Sequence, residues 1–366
     1  YGLSHERDGD ERPVALMARR KPRPFEFAGQ TINPGERADV SLRLPDLYTH
    51  AETSMPVTVM HGRSAGPRLF VCGVIHGDEL NGMEIIRRVL EHRALKRLRG
   101  TLLAVPIVNI YGCLTGSRYL PDGRDLNRLF PGISGGSMAS RIAHLFMDQI
   151  VAGSDYGIDL HTGSRHRANL PHVRTSPDIE ETRAMAKAFG APLMIDADLR
   201  DGSLRHAALA EGIPMLLYEG GEALRFDEVA IRAGVSGVIG VMRYTGMLPA
   251  SRKKRTFEPL IANRSSWIRA PGSGIVRVHR SLGDIVRRGD PLGEISDPVG
   301  GNKMTIKAQR SGIIIGASRL PLVHEGEALL HVAHLRQYAT AEEVMDAFEE
   351  THDPDLNINP AEQPIA

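Results

Sequence analysis

The chain has 366 residues, with 45 basic and 44 acidic side chains and a formal net charge of +1. That balance gives no support for nucleic acid or an anionic membrane surface as the main partner. The length exceeds the usual limit of one core, no apolar run approaches the roughly 20 residues of a membrane span, and two cysteines, Cys72 and Cys113, give no disulfide framework and fit a reducing cytoplasm.

Residues 1–24 are polar, with prolines at Pro13, Pro22 and Pro24, and read as a flexible arm. From Phe25 to Leu44 a loose alternation broken by turn residues predicts short antiparallel strands, and 57–60 predicts another. Leu69 to Ile75 carry no polar side chain, which predicts a strand buried on both faces. Leu80, Met83, Ile86, Val89 and Leu90 then repeat at helical spacing. Strands follow at 101–108, with Pro106 marking an edge or bulge, and at 191–195 and 213–218. Helices are expected over 137–152, 178–189 and 203–211, with one or two more across 225–246. This alternation predicts an α/β catalytic domain over 25–248, a mixed sheet flanked by helices. Residues 249–266 hold the basic run 251–255 without aromatic interleaving and read as a solvated linker. Dense glycine turns over 267–335 predict a small all-β unit, and 336–366 a tail with one helix near 341–350.

Chemistry concentrates where strands end. His76 and Glu79 lie one backbone turn apart after the first core strand, with Gly77 allowing a tight fold between them. His161 closes a second strand over 157–161. His76, Glu79 and His161 form a His₂Glu set, which suits one catalytic zinc ion with a position open for water. Asp159, two residues before His161, is on the same side of its strand and can fix the imidazole tautomer. Asp122 to Gly132 is a dense polar cluster in which Arg128 offers a planar fork for a substrate carboxylate, Asn127 a directional hydrogen bond, and Arg124 a further cation. Glu219, at the end of a buried strand beside Gly220 and Gly221, is the candidate general base, and Arg118 or Arg124 the candidate to polarise a carbonyl. His166, His172 and His206 read as loop or surface residues rather than ligands, with His166 and His172 close enough after His161 to line the pocket.

His76 to Glu79, then Asp125 to Arg128, Asp159 to His161, and Glu219 in that order resemble the succinylglutamate desuccinylase/aspartoacylase family of zinc carboxypeptidase-like hydrolases. The resemblance covers about residues 50–245. It implies a carboxypeptidase-like fold, zinc on His76, Glu79 and His161, Glu219 as base, Asn127 and Arg128 on a carboxylate, and Arg118 in the place of the family's oxyanion arginine. It further implies hydrolysis of a small N-acyl amino acid; a zinc carboxypeptidase or cell-wall-peptide amidase, and a non-catalytic zinc-binding scaffold, are the alternative readings. Leu282 to Leu292 resemble the repeat of a biotinyl/lipoyl-type β-barrel, but Lys303-Met304 lacks the flanking residues for modification, so no biotin or lipoyl group is expected. Assembly into a homo-oligomer is left open.

Overall fold

The computed structural model describes residues 22–176, 178–251 and 256–352. Most of the arm expected over 1–24, nearly all of the basic run 251–255, and the tail beyond residue 352 lie outside the described residues. Among the described residues no helix is long and apolar enough to cross a membrane.

A hairpin of β1 (Phe25–Phe27) and β2 (Gln30–Ile32) comes first. The main sheet then takes β3 (Arg37–Arg43), β4 (Ser54–His61), β5 (Ser64–Gly73), β6 (Arg99–Val105), β7 (Tyr156–His161), β8 (Arg167–Thr175), β9 (Leu193–Asp196) and β10 (Met215–Glu222). Between and after these strands run α1 (Asn81–Glu91), α2 (Ile110–Thr115), α3 (Met138–Phe146), α4 (Glu180–Phe189), α5 (Leu204–Ala210) and α6 (Glu228–Tyr244). The C-terminal part supplies β11 (Leu260–Arg269), β12 (Gly274–Val278), β13 (Ile285–Val286), β14 (Pro291–Ser296), β15 (Lys303–Lys307), β16 (Gly312–Ser318), β17 (Leu322–Val323), β18 (Ala328–Leu335) and α7 (Ala341–His352).

The fold is mixed α/β. Its main sheet has 12 strands in the order β13-β16-β18-β11-β9-β8-β10-β7-β5-β6-β4-β3, and β15-β14-β12-β17 form a second sheet. The central strand β5 is buried on both faces, as a parallel strand between helix layers must be. Leu69 and Val71 join one core with Ile85 of α1, Phe189 of α4 and Ile231 of α6. Phe70 and Cys72 join the other, with Phe146 of α3 and Leu204 of α5.

Several boundaries differ from the sequence expectation. The strand expected over 69–75 ends at Gly73, because Val74 turns out of it at φ 55°. The strand expected over 101–108 spans Arg99–Val105 and stops before Pro106, whose ring cannot donate to a ladder. One helix of 17 residues, α6, fills the stretch where one or two were expected. In α1 the buried face is Asn81, Gly82, Ile85, Ile86 and Val89, displaced from the face expected through Leu80, Met83 and Leu90.

The stretch expected as a linker over 249–266 already carries the start of β11, which pairs in parallel with β9 from Leu260 onward. Strand β16 pairs with β8 as well as with β18, so β8, β9, β11, β18 and β16 close into a ring. Two strands of this five-stranded barrel, β8 and β9, precede the expected linker, β11 begins within it, and β16 and β18 follow it. A single apolar cluster draws on all five, including Leu170, Leu193, Leu260, Ile313 and Ala333, and α7 adds Val344 and Met345.

Candidate active site

Strands β5, β7 and β10 are neighbours and run parallel, so their carboxyl ends open on one edge of the sheet. His76 follows β5, His161 closes β7, and Glu219 lies in β10 opposite His161. This shared edge is where a parallel sheet leaves room for a ligand. Two backbone devices shape it. Val74, a buried β-branched residue, adopts a left-handed φ of 55°, a strained conformation that the surrounding packing must hold. Gly77 passes so close to α2 that an added Cβ would stand 1.9 Å from the Gly112 carbonyl carbon.

His76, Glu79 and His161 are 4%, 2% and 5% exposed, and each offers a ligand atom within 4.8 Å of the others. His76 Nδ1 is 2.7 Å from Glu79 Oε1, and His161 Nδ1 is 2.8 Å from Glu79 Oε2. The far side of each ring meets a second carboxylate. His76 Nε2 lies 3.1 Å from Asp125 Oδ1, and His161 Nε2 lies 2.7 Å from Asp159 Oδ2. An imidazole that donates through Nε2 presents a lone pair at Nδ1, so two lone pairs and a carboxylate converge on one point. That donor set fits a divalent cation, with Asp125 and Asp159 orienting its ligands. Burial favours the neutral form of the Glu79 carboxyl, but the two imidazoles outweigh it and hold the group well below the usual carboxylate range. Burial likewise opposes charge on His161, and Asp159 and Glu79 reverse it, raising the imidazole well above its ordinary value.

Arg118 braces this cluster. Its guanidinium donates to Asp125 at 2.9 Å and to Glu79 at 3.3 Å. Glu219 is held from β8, where Asn169 donates to Oε2 at 2.6 Å and Arg174 Nε stands 3.4 Å from Oε1. The carbonyl of Gly220 accepts from Asn81 Nδ2 at 3.1 Å, so α1 anchors the backbone beside Glu219.

His76, Glu79, Arg118, His161, Asn169, Arg174 and Glu219 line one cavity of about 450 Å³. The rest of its wall is rich in cations, with Arg128, Arg174, Arg200 and Arg205 lining it beside the Asp198 carboxylate. Burial, reinforced by Arg174 and Arg200, pulls Arg205 down to about 10, and one of its terminal nitrogens is buried without a partner. Burial, Arg128 and Arg174 similarly lower Arg200. Such clustered guanidinium groups are relieved by an anion. Asn127 shares this wall, and its Oδ1 accepts from the Leu204 N–H at 2.8 Å, which leaves its amide nitrogen for a ligand.

The structure therefore brings His76, Glu79, Arg118, Asn127, Arg128, His161 and Glu219 to one cavity, with Asp159 behind it. It does not bring Arg124 there. That side chain is 56% exposed and lies 3.8 Å from Asp122, turned to the surface. Sequence reasoning missed Asn81, Asn169, Arg174, Arg200 and Arg205. Only Arg200 and Arg205 left a trace, as cations at the mouth of a predicted helix. His172, expected in a loop or at the surface, is fully buried in β8, with Nδ1 2.7 Å from the Leu170 carbonyl.

The family model for the succinylglutamate desuccinylase/aspartoacylase catalytic domain matches residues 65–245. The N-alpha-acetyl-L-2,4-diaminobutyric acid deacetylase of Halomonas elongata is 29% identical over 349 residues, which cover 89% of this chain and 97% of that one. The crystal structure of a succinylglutamate desuccinylase/aspartoacylase from Rhodobacter sphaeroides superposes with a TM-score of 0.75 at 24% identity, covering 87% of this chain and 99% of that one. The product-bound ectoine utilization protein EutE (DoeB) of Ruegeria pomeroyi gives 0.74 at 24% identity, covering 81% and 94%. Both structures share the fold. Residues 65–245 of this chain are a catalytic domain of the succinylglutamate desuccinylase/aspartoacylase family.

Proposed function

We propose that the protein is a zinc-dependent hydrolase that removes the acyl group from the amide nitrogen of an N-acyl amino acid. The observation that carries this reading is the buried triad of His76, Glu79 and His161 beside Glu219 in a cavity walled by arginines. The deacetylase of Halomonas elongata supports it from outside. His76, Glu79 and His161 would hold the zinc ion, which would supply a Lewis acid and lower the pKa of a water towards about 7. Glu219, aimed by Asn169 and Arg174, takes the proton of the attacking water and delivers it to the departing nitrogen. Arg118 keeps guanidinium hydrogens beyond those given to Glu79 and Asp125, and turns them to the carbonyl oxygen as charge develops there. Arg128 and the Asn127 amide nitrogen hold the amino acid's carboxylate. The C-terminal strands, by resemblance a biotinyl/lipoyl-like unit, serve as a wall of the cavity through Ser265, Trp267 and His331. The compartment proposed is the cytoplasm.

The test is to supply zinc-loaded protein with short N-acyl amino acids and, separately, unblocked dipeptides, with and without chelator. Release of amine from the N-acyl compounds that chelator abolishes is the expected result. Activity confined to dipeptides would overturn the deacylase assignment, and activity that survives complete metal removal would take zinc out of it.

A further inference from the structure

The cavity does not end at the triad. A second chamber of about 1190 Å³ lies against it, and the two share Arg118, Ser164, Arg167 and Trp267 as a collar. The anion-binding side chains Asn127, Arg128, Arg200 and Arg205 line the inner chamber alone. The outer chamber is walled by Tyr119 and Leu320, which are 49% and 45% exposed, set among the charged side chains of Asp78, Arg165, Arg269, Glu325 and Glu327. The triad stands at the collar's inner side. Arg118 of the collar touches Glu79, and Ser164 follows His161 by three residues. Trp267 stacks on His331 at 4.4 Å and 7°, and the Arg167 guanidinium covers it at 4.9 Å, so both faces of the indole are taken.

This layout gives the substrate a direction. With the carboxylate held inside and the amide at the triad, the acyl chain points through the collar. An acetyl group would end there and leave Tyr119 and Leu320 uncovered. Resting on the N-acyl amino acid reading, we propose that the outer chamber is the acyl subsite, and that the acyl group removed is longer than acetyl and partly apolar. Its edge contact is the Trp267 indole, and its far end covers Tyr119 and Leu320.

Trp267 is the single tryptophan of the chain, so its emission reports on the collar. The experiment titrates full-length, zinc-loaded protein with N-acetyl-, N-hexanoyl- and N-(acetylalanyl)-L-glutamate, and with the same acyl groups on L-2,4-diaminobutyrate. Indole emission and amine release are read in the same samples. The longer acyl groups are expected to bind about tenfold or more tightly than acetyl, the change that ~1.4 kcal/mol produces, and to shift the emission. The hexanoyl and acetylalanyl arms tell an alkanoyl from a peptidyl group. In Leu320→Asp the ratio of hexanoyl to acetyl affinity should fall. Equal or weaker binding of the longer compounds, binding of none, or an emission blind to all of them overturns the proposal. Amine release from the acetyl compound without any advantage of length sinks the acyl subsite and spares the deacylase. Length-dependent binding with no amine released does the reverse.

Discussion

At the scale of single residues, the site is a set of groups whose partners are already assigned. Glu219 accepts from Asn169 through Oε2 and from Arg174 through Oε1, and a glutamine in its place keeps one of these two acceptor oxygens. Glu219→Gln should keep the fold and bound zinc but lower kcat by about 100- to 10,000-fold, the usual contribution of a positioned base. Steady-state kinetics alongside metal analysis checks this, and a near-normal kcat would assign the base elsewhere. Asp159→Asn leaves the His161 ring with a weaker partner at Nε2. It should weaken zinc binding by about 10- to 100-fold, measured by competition with a chelator. Arg128→Ala should act chiefly on KM, raising it by about tenfold or more, because a charge-assisted hydrogen bond is worth about 1.5–3 kcal/mol. Unchanged KM would move the carboxylate to Arg200 and Arg205.

Among elements, what the sequence made legible was the residues at strand ends. An apolar run that breaks at His76, and another that breaks at His161, locate an active edge without any structure, because only the carboxyl ends of parallel strands can gather such groups. The supports of those residues were not legible. Asn81 lies on the buried face of α1, off the face expected through Leu80, Met83 and Leu90, and it bonds the Gly220 carbonyl and the Asp227 N–H. Asn169 and Arg174 lie on β8, whose path beside β10 depends on pairing between distant stretches and includes a bulge after Glu219. Local periodicity carries no record of that partner. The same holds for Val74, read as strand because β-branched residues favour strands, yet held at φ 55° by the turn that delivers His76. Gly77→Ala tests that turn. With Gly112 1.9 Å from the new Cβ, α2 must move, and both thermal stability and zinc affinity should drop. Wild-type values for both would show that the turn tolerates a side chain.

For the whole molecule, acid sensitivity is built into the joint between catalytic and C-terminal strands. Burial is the main cause that brings His331 down to about 3, assisted by Arg174 and Arg167, and burial likewise holds His172 well below its ordinary value. Both therefore fold as neutral rings, whereas the unfolded chain protonates them near 6.5. A lowered folded pKa means that the stability each neutral ring contributes is fully present above about pH 6.5 and is lost as pH falls below it, down to about 3 for His331, at about 1.4 kcal/mol per pH unit. Urea midpoints measured from pH 7.5 to 4.5 should show this decline. In His331→Gln the slope should be shallower than in the wild type, and an identical slope would exclude the ring as a source.

The ring of β8, β9, β11, β18 and β16 has one more outcome. Polypeptides ending before residue 252 and beginning at residue 256 would each carry an incomplete set of staves, with Leu193 and Ile195 bare on one and Ile313 and Ala333 bare on the other. Neither piece should stay in solution by itself. Produced together they should reassemble into a nicked, working protein, since hydrogen-bonded ladders on both flanks would replace the missing covalent joint.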